Sequence, residues 1–174
     1  MKTLVVEADH FQILLGDRCG APFADTTDLW RSDQPIGVLA DCAELVGVSV
    51  ARFGGKLTVE VDLSCTTMDE STSTTATDRD DGQEGWDRLG EFLLCLPTGE
   101  LIVWGPEQDP ESAMSLEVGP GLYACRAYST NTARIRDEMA VEGPDRYRIV
   151  GTLVRSAIGD PRRGSEELCE VRRG

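Results

Sequence analysis

Compact turn signals separate short runs of β-branched and aromatic residues along this chain, and that punctuation restricts its fold more than any other feature. GVSVARF and KLTVEVDL flank Gly54-Gly55, EFLLCL (91–96) and ELIVWG (100–105) flank Pro97-Thr98-Gly99, and SLEV and LYACRAYS flank Gly119-Pro120-Gly121. Glycine supplies positive φ and proline presets the first turn dihedral, so each site predicts a chain reversal of the hairpin kind. TLVVEA (3–8) and HFQILLGD (10–17) predict two strands or one bent strand, IGVLA (36–40) a short one, and RYRIVGTL (146–153) the last. Within LYACRAY, Tyr123, Cys125 and Ala127 alternate with Leu122, Ala124, Arg126 and Tyr128, giving one apolar face. The expectation is an all-β fold: an antiparallel β-sandwich or flattened barrel of about eight strands. Short helical segments are expected near the C-terminus, over 133–140 with Thr132 as cap and over 165–173.

A chain of 174 residues is long enough to bury one core without disulfides or a structural metal, so residues 1–174 are read as a single domain. The loop 18–35 is expected to be ordered around Trp30, and the tail 160–174 to fray. Glu7, Asp9 and Gln12 interrupt the first apolar run, which therefore lacks a signal peptide's continuous apolar region. No run approaches the roughly 20 apolar residues that would span a bilayer. The expected location is the cytoplasm, with no membrane partner. The six cysteines (19, 42, 65, 95, 125 and 169) are too far apart in sequence for a zinc knuckle or a redox pair. Cys95 and Cys125 lie inside apolar runs, where a thiol behaves as a small hydrophobe.

Charge is distributed unevenly. Residues 1–59 carry 8 acids and 5 bases, residues 60–117 carry 15 and 2, and residues 118–174 carry 8 and 10, so the middle third holds −13 of a net −14. Such a field repels nucleic acid and attracts cationic partners. Its centre is TTMDESTSTTATDRDDGQEGWD (66–87), with eight Ser and Thr between 66 and 77, a composition expected of a flexible acidic loop. A calcium loop starting at Asp78 would need glycine at position 6 and glutamate at position 12, but glycine falls at position 5 and Leu89 stands at position 12. No metal site is assigned. Glu60 and Asp62 precede the loop, and Glu100, Glu107, Asp109, Glu111 and Glu117 follow it. Strand pairing is expected to gather many of these on one side. The partner-binding residues expected on this reading are Asp78, Asp80, Asp81, Glu84, Trp86, Asp87 and Glu91. Trp86 is either an interface anchor or a cap on the core edge.

Catalytic signals are missing. The single histidine, His10, sits in an apolar run, and neither a nucleophile elbow, a P-loop nor a dinucleotide fingerprint accompanies it. Carboxylates are too abundant here for any pair to mark an acid–base couple. No catalytic residue and no cofactor are assigned, and the chain is read as a non-enzyme.

VVEADHFQILLGD at the start, with GLYACRAY and DRYRIVGTL later, resembles the competence protein J family over the first 17 residues and residues 119–153. The resemblance implies a small β-sandwich and an inhibitor that acts by binding a DNA-entry nuclease. GTLVRSAIGDP stands where an aromatic-proline ending is expected, the acidic loop is an elaboration, and no functional residue carries over. The first functional expectation is thus a non-catalytic protein presenting an acidic surface to a basic protein, as an inhibitor or immunity protein for a nuclease or toxin. The alternative is a small-molecule-binding or enzymatic β-barrel, its cavity lined by Tyr123, Tyr147, Trp104 and His10. A third is a homo-oligomer paired through an edge strand.

Overall fold

The computed structural model describes residues 1–19, 29, 34–38, 45–64 and 85–156. Among them are ten strands: β1 (Lys2–Ala8), β2 (Gln12–Asp17), β3 (Ile36–Val38), β4 (Leu45–Ser49), β5 (Gly55–Ser64), β6 (Asp87–Leu96), β7 (Glu100–Trp104), β8 (Met114–Glu117), β9 (Gly121–Thr130) and β10 (Arg146–Ser156). They form two five-stranded sheets, sheet A in the order β1-β5-β10-β9-β6 and sheet B in the order β3-β4-β2-β7-β8. The fold is an all-β sandwich, and neither sheet closes into a barrel. It has ten described strands rather than about eight, and β5 and β10 run parallel, so sheet A is mixed rather than purely antiparallel.

The two sheets show different burial patterns. In β1, Leu4, Val6 and Ala8 are buried while Thr3, Val5 and Glu7 are exposed, the period of two that a half-solvated strand requires. Sheet B instead contains nearly continuous buried runs, ILLGD in β2, LVGV in β4 and LIVW in β7. Its inner side chains Ile13, Leu15, Val46, Val48, Leu101 and Val103 meet Val59, Val61, Tyr123, Tyr147 and Ile149 of sheet A in the main core. On its outer side, Leu14, Leu45, Ile102 and Trp104 pack with Leu29 and Ala113 in a second cluster. Sheet B is therefore covered on both faces. Each fully buried aliphatic side chain contributes about 1.5–3 kcal/mol.

All three turn signals are real reversals, yet none closes a hairpin. β4 lies in sheet B and β5 in sheet A; β6 and β7 are divided in the same way, as are β8 and β9. Turn chemistry reverses the chain, but the choice of sheet depends on partners distant in sequence. The glycines are needed for close approach between crossings. At Gly55 (φ 97°) a Cβ would lie 2.2 Å from the Val141 carbonyl oxygen, and at Gly99 (φ 77°) it would lie 2.4 Å from the Gly119 backbone.

Buried polar groups fasten these crossings. Arg52, 0% exposed, donates from Nε to Asp145 Oδ1 (2.8 Å), from Nη1 to the Ala140 carbonyl (3.0 Å) and from Nη2 to the Lys56 carbonyl (2.7 Å). The Tyr147 hydroxyl donates to Asp145 Oδ2 (3.2 Å) and accepts the Ala51 N–H (2.7 Å); burial pushes this phenol well above its usual range. At the β6–β7 crossing, buried Asp17 accepts from the Thr98 N–H (2.9 Å) and hydroxyl (2.8 Å) and from the Cys19 N–H (2.9 Å).

The helix expected over 133–140 is absent. A single 3-10 turn spans Thr132–Arg134, and Asn131, not Thr132, stands at its cap in the left-handed region without a side-chain bond. Backbone groups beyond it bond to other elements. The Phe53 N–H donates to the Glu138 carbonyl (2.7 Å) and the Lys56 N–H to the Val141 carbonyl (3.0 Å), which removes the local bonds a helix would need. The expectations for Trp30, for the loop at positions 66–84, for 165–173 and for the tail 160–174 lie outside the described residues, as do Cys42, Cys65 and Cys169. Cys19 is exposed, whereas Cys95 and Cys125 are buried; burial pushes the Cys125 thiol up to about 12. Among the described residues no helix is long and apolar enough to cross a membrane.

Candidate protein-binding surface

The partner residues named from the sequence are divided by the structure's coverage. Asp78, Asp80, Asp81 and Glu84 lie outside the described residues, while Trp86, Asp87 and Glu91 stand at the β6 edge of sheet A. Glu91 is already engaged there. It accepts from Arg126 Nε across the β6–β9 register (2.8 Å) and pairs with Arg88 (2.5 Å). The Arg126 hydrogen bond is the main cause holding this carboxyl below the ordinary glutamate range; the Arg88 charge acts in the same direction. Glu91 lifts the Arg126 guanidinium correspondingly.

Further along the same outer face, Glu60 is only 3% exposed and accepts from both Arg146 and Arg148. Trp86 lies beneath this cluster, the Arg148 guanidinium carbon 4.2 Å from its ring centroid. Arg148 is thus held between a carboxylate and an aromatic face, a geometry that suits a planar guanidinium. Trp86 is half-buried on the outer face and belongs to none of the apolar clusters among the described residues. The outer face of sheet A carries an Arg–Glu ladder of two clusters, Arg146–Glu60–Arg148 and Arg88–Glu91–Arg126, in which two arginines offset each glutamate.

The described acids between 60 and 117 are not gathered on one side. Glu60, Asp62, Asp87 and Glu91 belong to sheet A, whereas Glu100 and Glu117 face each other across the β7–β8 pair of sheet B. The even spacing of acids along the sequence crosses from one sheet to the other at Pro97-Thr98-Gly99, which is why strand periodicity alone misassigns them.

A second cluster of polar and aromatic side chains was not evident from the sequence. His10 and Phe11 form a two-residue turn between β1 and β2, closed by Asp9 N–H to Gln12 O (3.2 Å) and Gln12 N–H to Asp9 O (3.0 Å). Both have positive φ, 50° and 61°, the backbone of a type I′ turn that normally selects Asn-Gly. Left-handed backbone at a non-glycine residue costs roughly 1–2 kcal/mol each. Phe53 packs against both rings, 5.1 Å from His10 and 5.5 Å edge-on from Phe11. His10 Nδ1 is 3.0 Å from Asp9 Oδ2, and one ligand atom from each of Asp9, His10 and Glu107 lies within 4.8 Å of the other two. These three side chains have the donor types that bind a divalent cation. The registers Ala8↔Gly55, Arg146↔Thr130 and Asp87↔Ser129 bring this turn, the 50–54 crossing, the 131–145 segment and Trp86 to one end of the sandwich. Exposed Met139 and Val141 stand at that end, beside the acids Asp137, Glu138 and Glu142.

The four aromatic side chains expected to line a cavity on the alternative reading are not brought together. Tyr123 and Tyr147 are buried in the main core, Trp104 belongs to the cluster outside sheet B, and His10 is exposed at the end. The two tyrosines share the main core, while Trp104 and His10 lie away from it and from each other.

No family model matches the sequence, and no curated protein matches it. Two solved structures resemble the chain. Bacillus subtilis ComJ, an inhibitor of the DNA-degrading activity of NucA, is 13% identical, with a TM-score of 0.52 over 88% of this chain and 96% of ComJ. The product of crocagin biosynthetic gene J is 17% identical, with a TM-score of 0.45 over 86% of this chain and 98% of that one. The ComJ match bears out the resemblance to the competence protein J family at the level of the fold.

Proposed function

We propose that this chain is a non-catalytic binding protein whose acidic surface receives a basic protein, as an inhibitor or immunity protein for a nuclease. The observation that carries the reading is charge: 15 acids against 2 bases over residues 60–117. A negative field of that density accelerates encounter with a cationic protein and competes with nucleic acid for a nuclease's basic cleft. The fold shared with ComJ supports the reading, since that protein inhibits a nuclease. Asp78, Asp80, Asp81, Glu84, Trp86, Asp87 and Glu91 remain the proposed contact set.

The test is affinity capture from native lysate at about 50 mM and about 0.5 M salt, followed by DNA-cleavage assays on the recovered protein, because screening removes exposed charge attraction across that range. A basic nuclease held only at low salt and inhibited stoichiometrically is the expected result. Recovery of no basic protein, or capture insensitive to salt, rejects the reading.

A further inference from the structure

We propose that Asp9, His10, Phe11, Phe53 and Glu107 form a receptor for an arginine side chain projecting from the partner. The inference rests on the reading of the chain as a binder of a basic protein and assigns that binding an anchoring contact. Two features meet at this end of the sandwich. One is aromatic: Phe11, 38% exposed, stands edge-on to Phe53 with centroids 5.5 Å apart, and His10 extends the group at 5.1 Å. The other is anionic: the Asp9 and Glu107 carboxylates converge on His10, all ligand atoms within 4.8 Å of one another. Glu60, Glu91 and Glu100 each have an arginine partner, whereas among the described residues no lysine or arginine pairs with Asp9 or Glu107.

A guanidinium satisfies both features at once. Its plane stacks on a ring while its fork of N–H donors reaches carboxylate oxygens, which an ammonium point charge does less well. The molecule contains the same arrangement internally, with Arg148 placed 4.2 Å over Trp86 and bonded to Glu60. At the turn, the aromatic and acidic components are present and the guanidinium is left for another chain to supply. Asn-Gly would relieve the positive φ at positions 10 and 11, but it would remove the rings.

The test is an amide NMR titration with acetyl-Gly-Arg-Gly-amide at constant ionic strength, with the Lys and Leu counterparts and Zn²⁺ alone as comparison probes. Saturable shifts at residues 9–12, 53 and 107 are expected, with the Arg peptide binding at least about threefold more tightly than the Lys peptide. Glu107→Gln is expected to weaken binding by about threefold or more. Phe11→Asn keeps a residue that tolerates the left-handed turn and is expected to abolish the shifts. The proposal is overturned by no saturable response to the Arg peptide, by an equal response to the Leu peptide, by indifference to Glu107→Gln, or by Zn²⁺ shifting these amides while the Arg peptide does not. Salt-sensitive capture of a basic nuclease would survive such a failure, and loss of that capture would leave the peptide result standing, so the two outcomes separate.

Discussion

Asp145→Ala is expected to be among the most damaging single substitutions in this protein. The mutation leaves the Arg52 guanidinium with two carbonyl partners and no counter-charge at a site of 0% side-chain exposure. Breaking a buried ion pair from one side costs about 3–5 kcal/mol, and the Tyr147 hydroxyl also loses its acceptor. Taking about 4 kcal/mol and a urea slope of about 2 kcal/mol/M, the denaturation midpoint should fall by about 2 M with little change in slope. The double substitution Arg52→Met/Asp145→Leu removes both charges and should recover most of the loss, because desolvation is then no longer opposed to pairing. Hydrogen exchange provides a local readout. The Phe53 and Lys56 amides donate to the Glu138 and Val141 carbonyls of the segment that Arg52 secures, so their protection should fall first. A midpoint within about 0.5 M of the parent, or a double variant no more stable than the single one, would refute the assignment of Arg52 as the clasp.

Asp17→Ala should lower the melting temperature by about 5–10 °C, since it strands the Thr98 and Cys19 donors at the β6–β7 crossing; calorimetry measures it. Gly55→Ala should destabilise by more than about 1 kcal/mol, because both φ and the Val141 carbonyl oppose a Cβ; chemical denaturation checks it. Native thiol labelling at pH 8 followed by peptide mapping should modify Cys19 while sparing Cys95 and Cys125, the latter with its thiol pushed up to about 12. Carboxyl NMR should find Glu91 titrating below the ordinary glutamate range and returning toward it in Arg126→Gln. With a depressed folded value, the stabilisation from this group is present above the ordinary glutamate range and lost as pH falls through the lowered one.

Local elements were legible in the sequence because their determinants are local. The alternation of LVVEA put Leu4, Val6 and Ala8 inward, and the Gly and Pro pairs marked true reversals. Partnership was not legible. β5 and β10 are far apart in the chain and meet in parallel, and Arg52 lies 93 residues from Asp145, so neither pairing leaves a trace in any short window. The candidate site was half legible for the same reason. Acid density was visible, but whether an acid is neutralised depends on which arginine the register sets beside it, as with Glu91 and Arg126. The His10–Phe11 turn was hidden because its residues read as strand formers; closing bonds from Asp9 and Gln12 impose a backbone their side chains do not favour.

The two sheets constrain where a partner can sit. Apolar clusters cover both faces of sheet B, so an incoming protein meets on it mainly the acids of the β7–β8 pair. The outer face of sheet A leaves Val5, Val150 and Val154 exposed, yet its Arg–Glu ladder cancels the charge needed for long-range attraction. The ladder also neutralises Glu60 and Glu91 without any partner, so a salt-dependent association must draw its charge from elsewhere. Among the described residues, the end carrying Asp9, Glu107 and Glu138 combines carboxylates that pair with no described lysine or arginine with exposed apolar surface. Charge there would speed the encounter and the rings would slow release, so charge-neutralising variants at this end should change the association rate and its salt dependence, whereas Phe11→Asn should change mainly the dissociation rate. Surface-plasmon kinetics with the captured partner separates the two, and identical effects on both rates from either class of variant would show that this division of labour is wrong.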